Sequence, residues 1–312
     1  MRSFHFNSGK LPDRKKMAKS IYKFSVLHWL IMVFLITFTI SAVPYFPAHA
    51  LSGDSPFAPV RSLLLQDGFD QNKIDQILDD PRVEPAFRSV SLFFVHSEAR
   101  LNYDQFTTTE SIENALQYIQ KHKDLLVEAE KKYGVDKNVI TAILMVETRL
   151  GTFTGTSPTF NTLATMASLK DPARRNILFE NISNPRRLSR EQFEKQADRR
   201  WNWAYGQLKA FLEYTERENM DPLSIYGSYA GAIGIAQFLP TSILAYAKDG
   251  NHDGRIDLFT HEDAIASVAN YLKTFGWKPG ITREEAEKAI FAYNRSSYYV
   301  NTVLTISELL EK

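Results

Sequence analysis

The segment "KNVITAILMVETRLG", residues 137–151, predicts a helix that Asp136 caps at its start and Gly151 ends. Its one acidic residue, Glu147, falls in the last turn, where the neighbours at i−4, i−3 and i+3 are all apolar. Apolar surroundings and the negative end of the helix dipole both penalise a charged carboxylate. The pattern therefore predicts a raised pKa for Glu147, which a general acid near neutral pH requires. The alternative is a solvated glutamate at a frayed helix end, the commoner state of this residue type.

The composition of the chain excludes several functional classes. The 312 residues are 44% apolar, enough for one large domain or two smaller ones. A formal net charge of +1 gives no overall attraction to nucleic acid, so no nucleic-acid partner is expected. The chain contains no cysteine, which excludes disulfides, thiolate catalysis, cysteine-ligated zinc and lipidation on cysteine.

The first fifty residues predict export. A basic leader precedes "FSVLHWLIMVFLITFTISAVPYF", residues 24–46, which contains no Asp, Glu, Lys or Arg. The stretch "AHA", residues 48–50, fits a small-residue cleavage site, so residues 1–50 are expected to form a signal peptide. Because the apolar run is longer than a usual signal core, an uncleaved inner-membrane anchor is the alternative. Either outcome predicts that residues 51–312 work in the periplasm.

The rest of the chain predicts a mostly α fold with a single compact core, because its apolar residues recur at helical intervals. Asp70 is expected to cap a helix, and Thr282 and Glu285 stand at capping-box spacing. A long helix is predicted over residues 191–219, and convincing period-2 strands are scarce. Residues 51–312 are therefore expected to form one domain, which begins with a helical region.

An acidic loop follows in "DGNHDGRID", residues 249–257. Side-chain oxygens recur at Asp249, Asn251 and Asp253, and Gly254 stands at the sixth position, as in the opening of an EF-hand calcium loop. The twelfth position, where an EF-hand has a bidentate glutamate, is Thr260. The pattern favours a structural calcium site that clamps neighbouring segments. A calcium sensor and a metal-free Asx-rich turn are the alternatives.

Several motifs, taken in order, resemble lytic murein transglycosylases of the membrane-bound B family, which have a lysozyme-like core. The resemblance covers most of the chain from about residue 57 onward. It is carried by the acidic loop and by "VETRLG" (146–151), "TLATMA" (162–167), "DPLSIYGSYAGAIGIAQFLPTS" (221–242), "DAIASVANYLKTFGW" (263–277) and "AYNRSSYYV" (292–300).

The resemblance implies roles for particular residues. Glu147 matches the catalytic acid of the family. The residues that match its substrate-binding positions are Ser228, Gln237, Tyr271, Tyr293, Asn294, Tyr299, Arg174 and Arg175. The residues that match its EF-hand-like calcium site, within loop 249–263, are Asp249, Asn251, Asp253, Arg255 through its backbone carbonyl, and Asp263 as a late closing carboxylate.

The implied activity is cleavage of the β-1,4 bond between N-acetylmuramic acid and N-acetylglucosamine in peptidoglycan strands. Glu147 would protonate the glycosidic oxygen and then take the proton of the muramic O6 hydroxyl, closing a 1,6-anhydro ring without water. A hydrolytic muramidase and a non-catalytic peptidoglycan-binding protein are the alternatives. The chain departs from the family in lacking a long insertion between Trp277 and Tyr293 and in an expanded region at residues 181–200.

Overall fold

The fold is visible in a computed structural model that describes residues 55–95, 102–182 and 188–311. The predicted signal peptide or anchor at residues 1–50 lies outside the described residues. Within the described ranges, no helix combines the length and the hydropathy that a membrane span needs.

Helices make up most of the described chain, which confirms the predicted mostly α class. The α-helices are α1 Ala58–Gln66, α2 Gln71–Leu78, α3 Phe87–Val95, α4 Thr109–Lys121, α5 Lys123–Tyr133, α6 Lys137–Thr148, α7 Thr159–Ser168, α8 Pro172–Glu180, α9 Arg190–Arg217, α10 Pro240–Tyr246, α11 His261–Thr274, α12 Arg283–Tyr293 and α13 Ser297–Leu309. A short 3₁₀ helix spans Tyr103–Phe106.

Three helix starts follow the local signals in the sequence, whereas α6 ends at Thr148, three residues before the predicted end at Gly151, because Arg149 takes a left-handed conformation. The carboxylate of Asp70 accepts the backbone N–H of Lys73 at the start of α2, and Asp136 caps α6 through the N–H of Asn138. Thr282 and Glu285 form the predicted capping box of α12. These caps satisfy backbone groups that a helix end would otherwise leave unpaired. The three predicted helix starts are therefore confirmed.

The core is built around α7, whose residues are all buried. The long helix α9 packs along α7, and α6 packs against α13, α4 and α5. Residues 190–200, in the region predicted to be expanded, form the first turns of α9. This part of the region therefore belongs to a helix that packs in the core.

Two short strands join the segment after α6 to the glycine-rich segment "GSYAGAIGIAQF", residues 227–238. β1, Ser157–Pro158, pairs antiparallel with β2, Tyr226–Gly227, with Ser157 opposite Gly227. The pairing joins residues about seventy positions apart in the chain. Strands of two residues are not stable alone, so this pairing depends on the surrounding tertiary structure. This contact places the glycine-rich segment beside the end of α6.

At Gly234 the glycine-rich segment packs on Leu258, the residue directly after the acidic loop. Gly234 has φ +73°, and a Cβ built there would lie 2.5 Å from both Cβ and the carbonyl oxygen of Leu258. The next residue, Ile235, donates its N–H to that carbonyl at 2.8 Å. Glycine is required here for close approach as well as for its left-handed backbone.

Gly234→Ala should lower the free energy of unfolding by about 2–4 kcal/mol, since the left-handed backbone and the clash both cost energy. Gly68 is a matched control, because it has φ +88° and open space around the added Cβ. Gly68→Ala should cost only the backbone term, about 1–2 kcal/mol. Urea unfolding of both variants measures the difference, and equal losses would contradict the close approach at Leu258.

Candidate active site

A cleft of about 700 Å³ opens beside the C-terminal end of α6. Its wall contains Glu147 together with other residues that the sequence predicted for the site. Those residues are Ser228, Gln237, Tyr271, Tyr293, Asn294 and Tyr299. The fold thus gathers side chains from α6, the glycine-rich segment, α11, α12 and α13 at one surface.

Glu147 is half-buried and is held by Tyr299. The phenol of Tyr299, which is 1% exposed, donates a hydrogen bond of 2.7 Å to Oε1 of Glu147. Burial raises the pKa of Tyr299 well above its usual value of 10, and the negative charge of Glu147 raises it further. Tyr299 therefore stays protonated and fixes one oxygen of the carboxyl group.

Tyr293 and Tyr271 form the cleft wall next to Tyr299. The rings of Tyr293 and Tyr299 are stacked at 6.3 Å, and Tyr271 meets Tyr293 edge-on at 4.9 Å. The hydroxyl of Tyr293 donates to the backbone carbonyl of Ala236, and the hydroxyl of Tyr271 donates to that of Ala292. Burial raises the pKa of Tyr293 well above 10 and that of Tyr271 to about 12. Both hydroxyls therefore brace the protein while their rings face the cleft.

Ser228 and Gln237 hold the glycine-rich segment in place. The Ser228 hydroxyl oxygen accepts the N–H groups of Ala230 and Ala232 at 3.2 and 3.1 Å. The amide nitrogen of Gln237 donates to the carbonyls of Thr154 and Gly234, both at 2.9 Å. Both side chains line the cleft, but their hydrogen bonds first fix the loops that shape it.

The turn after Glu147 is tied down by Thr148. Arg149 and Leu150 both have positive φ, of 50° and 59°, which is costly for residues other than glycine. The buried hydroxyl of Thr148 accepts the N–H of Gly151 at 3.0 Å and donates to the carbonyl of Ile235 at 2.8 Å. This side chain therefore holds the strained turn and joins the end of α6 to the glycine-rich segment.

Arg174 and Arg175 lie on α8, outside the residues that line this cleft. Arg175 pairs with Glu194 at 3.0 Å and with Asp198 at 2.7 Å, both on α9. Arg174 donates to the backbone carbonyl of Ser55 at 3.3 Å. The geometry gives Arg175 a role in joining α8 to α9. The substrate-binding role that the resemblance implies for both arginines stays a prediction.

The acidic loop connects α10 to α11. Asp249 accepts the N–H of Gly254 through Oδ2, while its Oδ1 is buried without a hydrogen-bond partner. Asp263, 1% exposed, turns back from α11 to accept the N–H groups of Gly250 and Asp257 at 2.7 and 2.6 Å. Burial raises the pKa of Asp263, and the negative charge of Asp249 also raises it.

Thr260, at the twelfth loop position, is the N-cap of α11. Its side chain accepts the N–H of Asp263, so this position serves as a helix cap. Asp253 and Asn251 hydrogen-bond to each other and are exposed. Among the described residues, no three His, Cys, Asp or Glu side chains form a group that could hold a metal. Asp249 and Asp263 nevertheless supply buried carboxylate oxygens of the type that calcium prefers.

The family model described as transglycosylase SLT domain matches residues 54–286, which is most of the chain. This chain belongs to the transglycosylase SLT domain family. The resemblance seen in the sequence motifs is thereby confirmed.

A curated relative of this SLT domain chain is the membrane-bound lytic murein transglycosylase B of Escherichia coli (strain K12). The two are 33% identical over 224 residues, which are 68% of this chain and 55% of the relative. The chain therefore spans about half the length of the curated relative it matches.

Two solved structures show the same fold as this SLT domain chain. The Escherichia coli lytic transglycosylase Slt35 in complex with calcium has a TM-score of 0.63 and 24% identity, over 83% of this chain and 93% of that one. SltB3 from Pseudomonas aeruginosa in complex with NAG-NAM-pentapeptide has a TM-score of 0.65 and 21% identity, over 82% and 79%. The predicted lysozyme-like lytic transglycosylase fold is confirmed at this level.

Sequence reasoning missed several residues at the site of this SLT domain chain. Thr148 stands directly after Glu147, but its link to Ile235 spans 87 positions and leaves no mark in local periodicity. Phe153, Tyr103 and Phe106 also line the cleft. Phe153 could have been noticed as a large apolar residue just after the predicted helix end at Gly151, since such residues are usually buried.

Thr148→Val should lower the free energy of unfolding by about 1–3 kcal/mol, because the carbonyl of Ile235 and the N–H of Gly151 lose a partner in a buried place. Thr141 is a matched control on the same helix, since its buried hydroxyl bonds only to the carbonyl of Lys137 four residues back. Thr141→Val should therefore cost less than about 1 kcal/mol. The free energies of unfolding of the two variants are compared by urea unfolding. A larger loss for Thr141→Val than for Thr148→Val would contradict the stabilising role of the Thr148 bonds to Ile235 and Gly151.

Proposed function

We propose that this chain is a peptidoglycan lytic transglycosylase that cleaves the β-1,4 bond between N-acetylmuramic acid and N-acetylglucosamine. The observation that carries the proposal is that Glu147 is the one acidic side chain among the described residues that line the cleft. A glycosidase that uses water or a covalent intermediate needs two carboxyl groups that flank the bond. A single carboxyl group in a cleft bordered by tyrosines supports a reaction that needs one residue as both acid and base.

In the first step, the protonated Glu147 gives its proton to the glycosidic oxygen as the bond to C1 of the muramic residue breaks. The oxygen held by Tyr299 is Oε1, so we place the acidic proton on Oε2. The N-acetyl oxygen of the substrate stabilises the developing positive charge at C1. The cleft residues Ser228 and Asn294 are proposed to orient that N-acetyl group.

In the second step, the Glu147 carboxylate takes the proton of the muramic O6 hydroxyl, and O6 forms a bond to C1. The product carries a 1,6-anhydro ring, and Glu147 regains its proton, so no water is consumed. Tyr299 remains a hydrogen-bond donor to Oε1 throughout, because the high pKa of its phenol prevents it from losing its proton. The carboxyl group therefore keeps one orientation while it changes from acid to base.

The alternative of a hydrolytic muramidase would need a second carboxyl group within about 5–10 Å of Glu147. No further Asp or Glu stands among the described cleft residues. A non-catalytic binding role would leave unexplained why a carboxyl group and its tyrosine donor are held together inside the cleft. Neither alternative is favoured by a specific observation.

We further propose that loop 249–263 holds a structural calcium ion. The ligands would be Asp249, Asn251, Asp253, the backbone carbonyl of Arg255, and Asp263. The unpartnered Oδ1 of Asp249 and the buried carboxylate of Asp263 support this proposal, since a cation would neutralise two nearby negative charges. The ion would stabilise the loop against α11 and would take no part in the reaction.

The cellular setting is also proposed. Residues 1–50 would export the chain as a cleaved signal peptide, or would keep it at the inner membrane through residues 24–46. In both cases residues 51–312 would meet peptidoglycan strands in the periplasm.

Digestion of purified sacculi should release muropeptides with 1,6-anhydromuramic ends, each lighter by one water than the hydrolytic product. Mass spectrometry checks the result, and mainly reducing muramic ends would identify a muramidase instead.

Glu147→Gln should keep the fold and reduce the rate by about 10²–10⁴-fold, because the amide cannot give the proton. A variant that keeps more than a small part of the activity would exclude Glu147 as the acid.

Calcium should raise the melting temperature, and at a hundredfold excess over Kd it should add about 2.7 kcal/mol to the free energy of unfolding. Asp253→Ala and Asp263→Ala should remove the difference between calcium and EGTA. Thr260→Ala should destabilise by about 1 kcal/mol under both conditions, because it removes an N-cap and no ligand. Thermal melting of the four proteins tests this, and a wild-type curve indifferent to calcium would show that the loop is only a turn.

A further inference from the structure

Phe153 exposes an aromatic ring inside the cleft. It follows the catalytic helix by five residues, lines the same cleft as Glu147, and is 61% exposed. A phenylalanine ring has no polar atom, so water around it is released only when another surface covers it. The exposed ring therefore marks a part of the cleft wall that gains free energy from an apolar ligand surface.

The loop that carries Phe153 is held at both sides of the ring. The N–H of Phe153 donates to the carbonyl of Thr148 at 3.0 Å, and the next carbonyl, of Thr154, accepts the amide of Gln237 at 2.9 Å. At Gly155 a Cβ would lie 2.1 Å from the carbonyl oxygen of Gly227, so the loop packs directly on the neighbouring segment. These contacts fix the backbone that presents the ring, so the loop requires little ordering when a ligand binds.

Besides Phe153, a stacked pair of tyrosines borders the same cleft. Tyr103, which lines the cleft, is stacked at 6.5 Å on Tyr298, whose ring is 60% exposed. Elsewhere on the described surface, Phe291 is 46% exposed on α12 and does not line the cleft. Single exposed aromatic residues are common, but their combination with a catalytic cleft points to a ligand.

We propose that Phe153 is a saccharide-stacking residue that binds the apolar C–H face of a pyranose ring of the glycan strand next to the bond that Glu147 cleaves. This inference rests on the proposed function, because it takes its ligand class from that reaction. β-Linked pyranose rings carry their hydroxyl groups at the edge and present C–H groups on their faces, which suit the face of a phenyl ring. Tyrosines 271 and 293 use their hydroxyls for the backbone, so Phe153 adds a contact that depends on ring area alone.

Stacking by Phe153 acts on the strand both before and during the reaction. Its contribution is therefore uniform binding, which changes KM and leaves kcat nearly unchanged. Loss of a purely structural residue would instead lower the melting temperature and affect kcat and KM together. This difference separates a specificity-determining residue from one that only supports the loop.

The binding experiment uses the full chain with Glu147→Gln, so that the ligand is not cleaved. The probe is a peptide-free strand of alternating N-acetylglucosamine and N-acetylmuramic acid, titrated calorimetrically. Phe153→Ala in this background should raise Kd by roughly five- to thirty-fold, from the loss of one buried aromatic contact, whereas Phe153→Trp should keep Kd within about twofold. Phe291→Ala is the matched control and should leave Kd unchanged.

The kinetic experiment uses the chain with Glu147 intact. Phe153→Ala should raise KM by the same factor as Kd, with an unchanged melting temperature. If the parent chain cleaves strands and Phe153→Ala shows wild-type Kd and KM, the inference is overturned while the proposed function stands. If the parent chain binds strands through Phe153 but does not cleave them, the proposed function fails and the stacking role is supported. Failure of the Glu147→Gln chain to bind the strand overturns the stacking role outright.

Discussion

The backbone N–H and carbonyl of Ile235 connect the three segments that position the cleft, which are the acidic loop, the glycine-rich segment and α6. The N–H of Ile235 bonds to Leu258 after the acidic loop, and its carbonyl accepts the hydroxyl of Thr148, the residue next to Glu147. Ile235 itself is 3% exposed, so neither bond can be replaced by water without opening the core. The acidic loop, the glycine-rich segment and α6 therefore hold their positions together, and stabilisation of one supports the others.

The polar groups of the cleft are mostly committed to the protein itself. Tyr271 and Tyr293 donate to backbone, Gln237 fixes the loop that carries Phe153, and Tyr299 donates directly to Glu147. A wall built in this way cannot rearrange easily, which suits the proposed reaction, in which one carboxyl group serves twice without moving. Under the proposed function, recognition of the sugar would depend on the surfaces that remain exposed, which include the ring of Phe153.

The sequence was sufficient for the helical class, for several helix starts and for the gathering of Glu147 with the cleft residues. Helix caps are local interactions within four residues, so Asp70, Asp136 and Thr282 could be identified from spacing alone. The cleft residues were identified because whole motifs resemble a known family, and the match over residues 54–286 confirms that family. Neither periodicity nor propensity would have joined segments 150 residues apart.

Only the tertiary structure decided what each side chain in and around the cleft contacts. Arg174 and Arg175 occupy motif positions on α8, but they contact Ser55 and α9 and are not among the described residues that line the cleft. Thr260 was identified as an unusual EF-hand position, whereas the fold uses it as the cap of α11. The sequence by itself determined the family and several helix starts, because these depend on ordered motifs and local patterns. The bridge at Thr148 and the exposure of Phe153 depend on packing between distant segments, which local sequence does not encode.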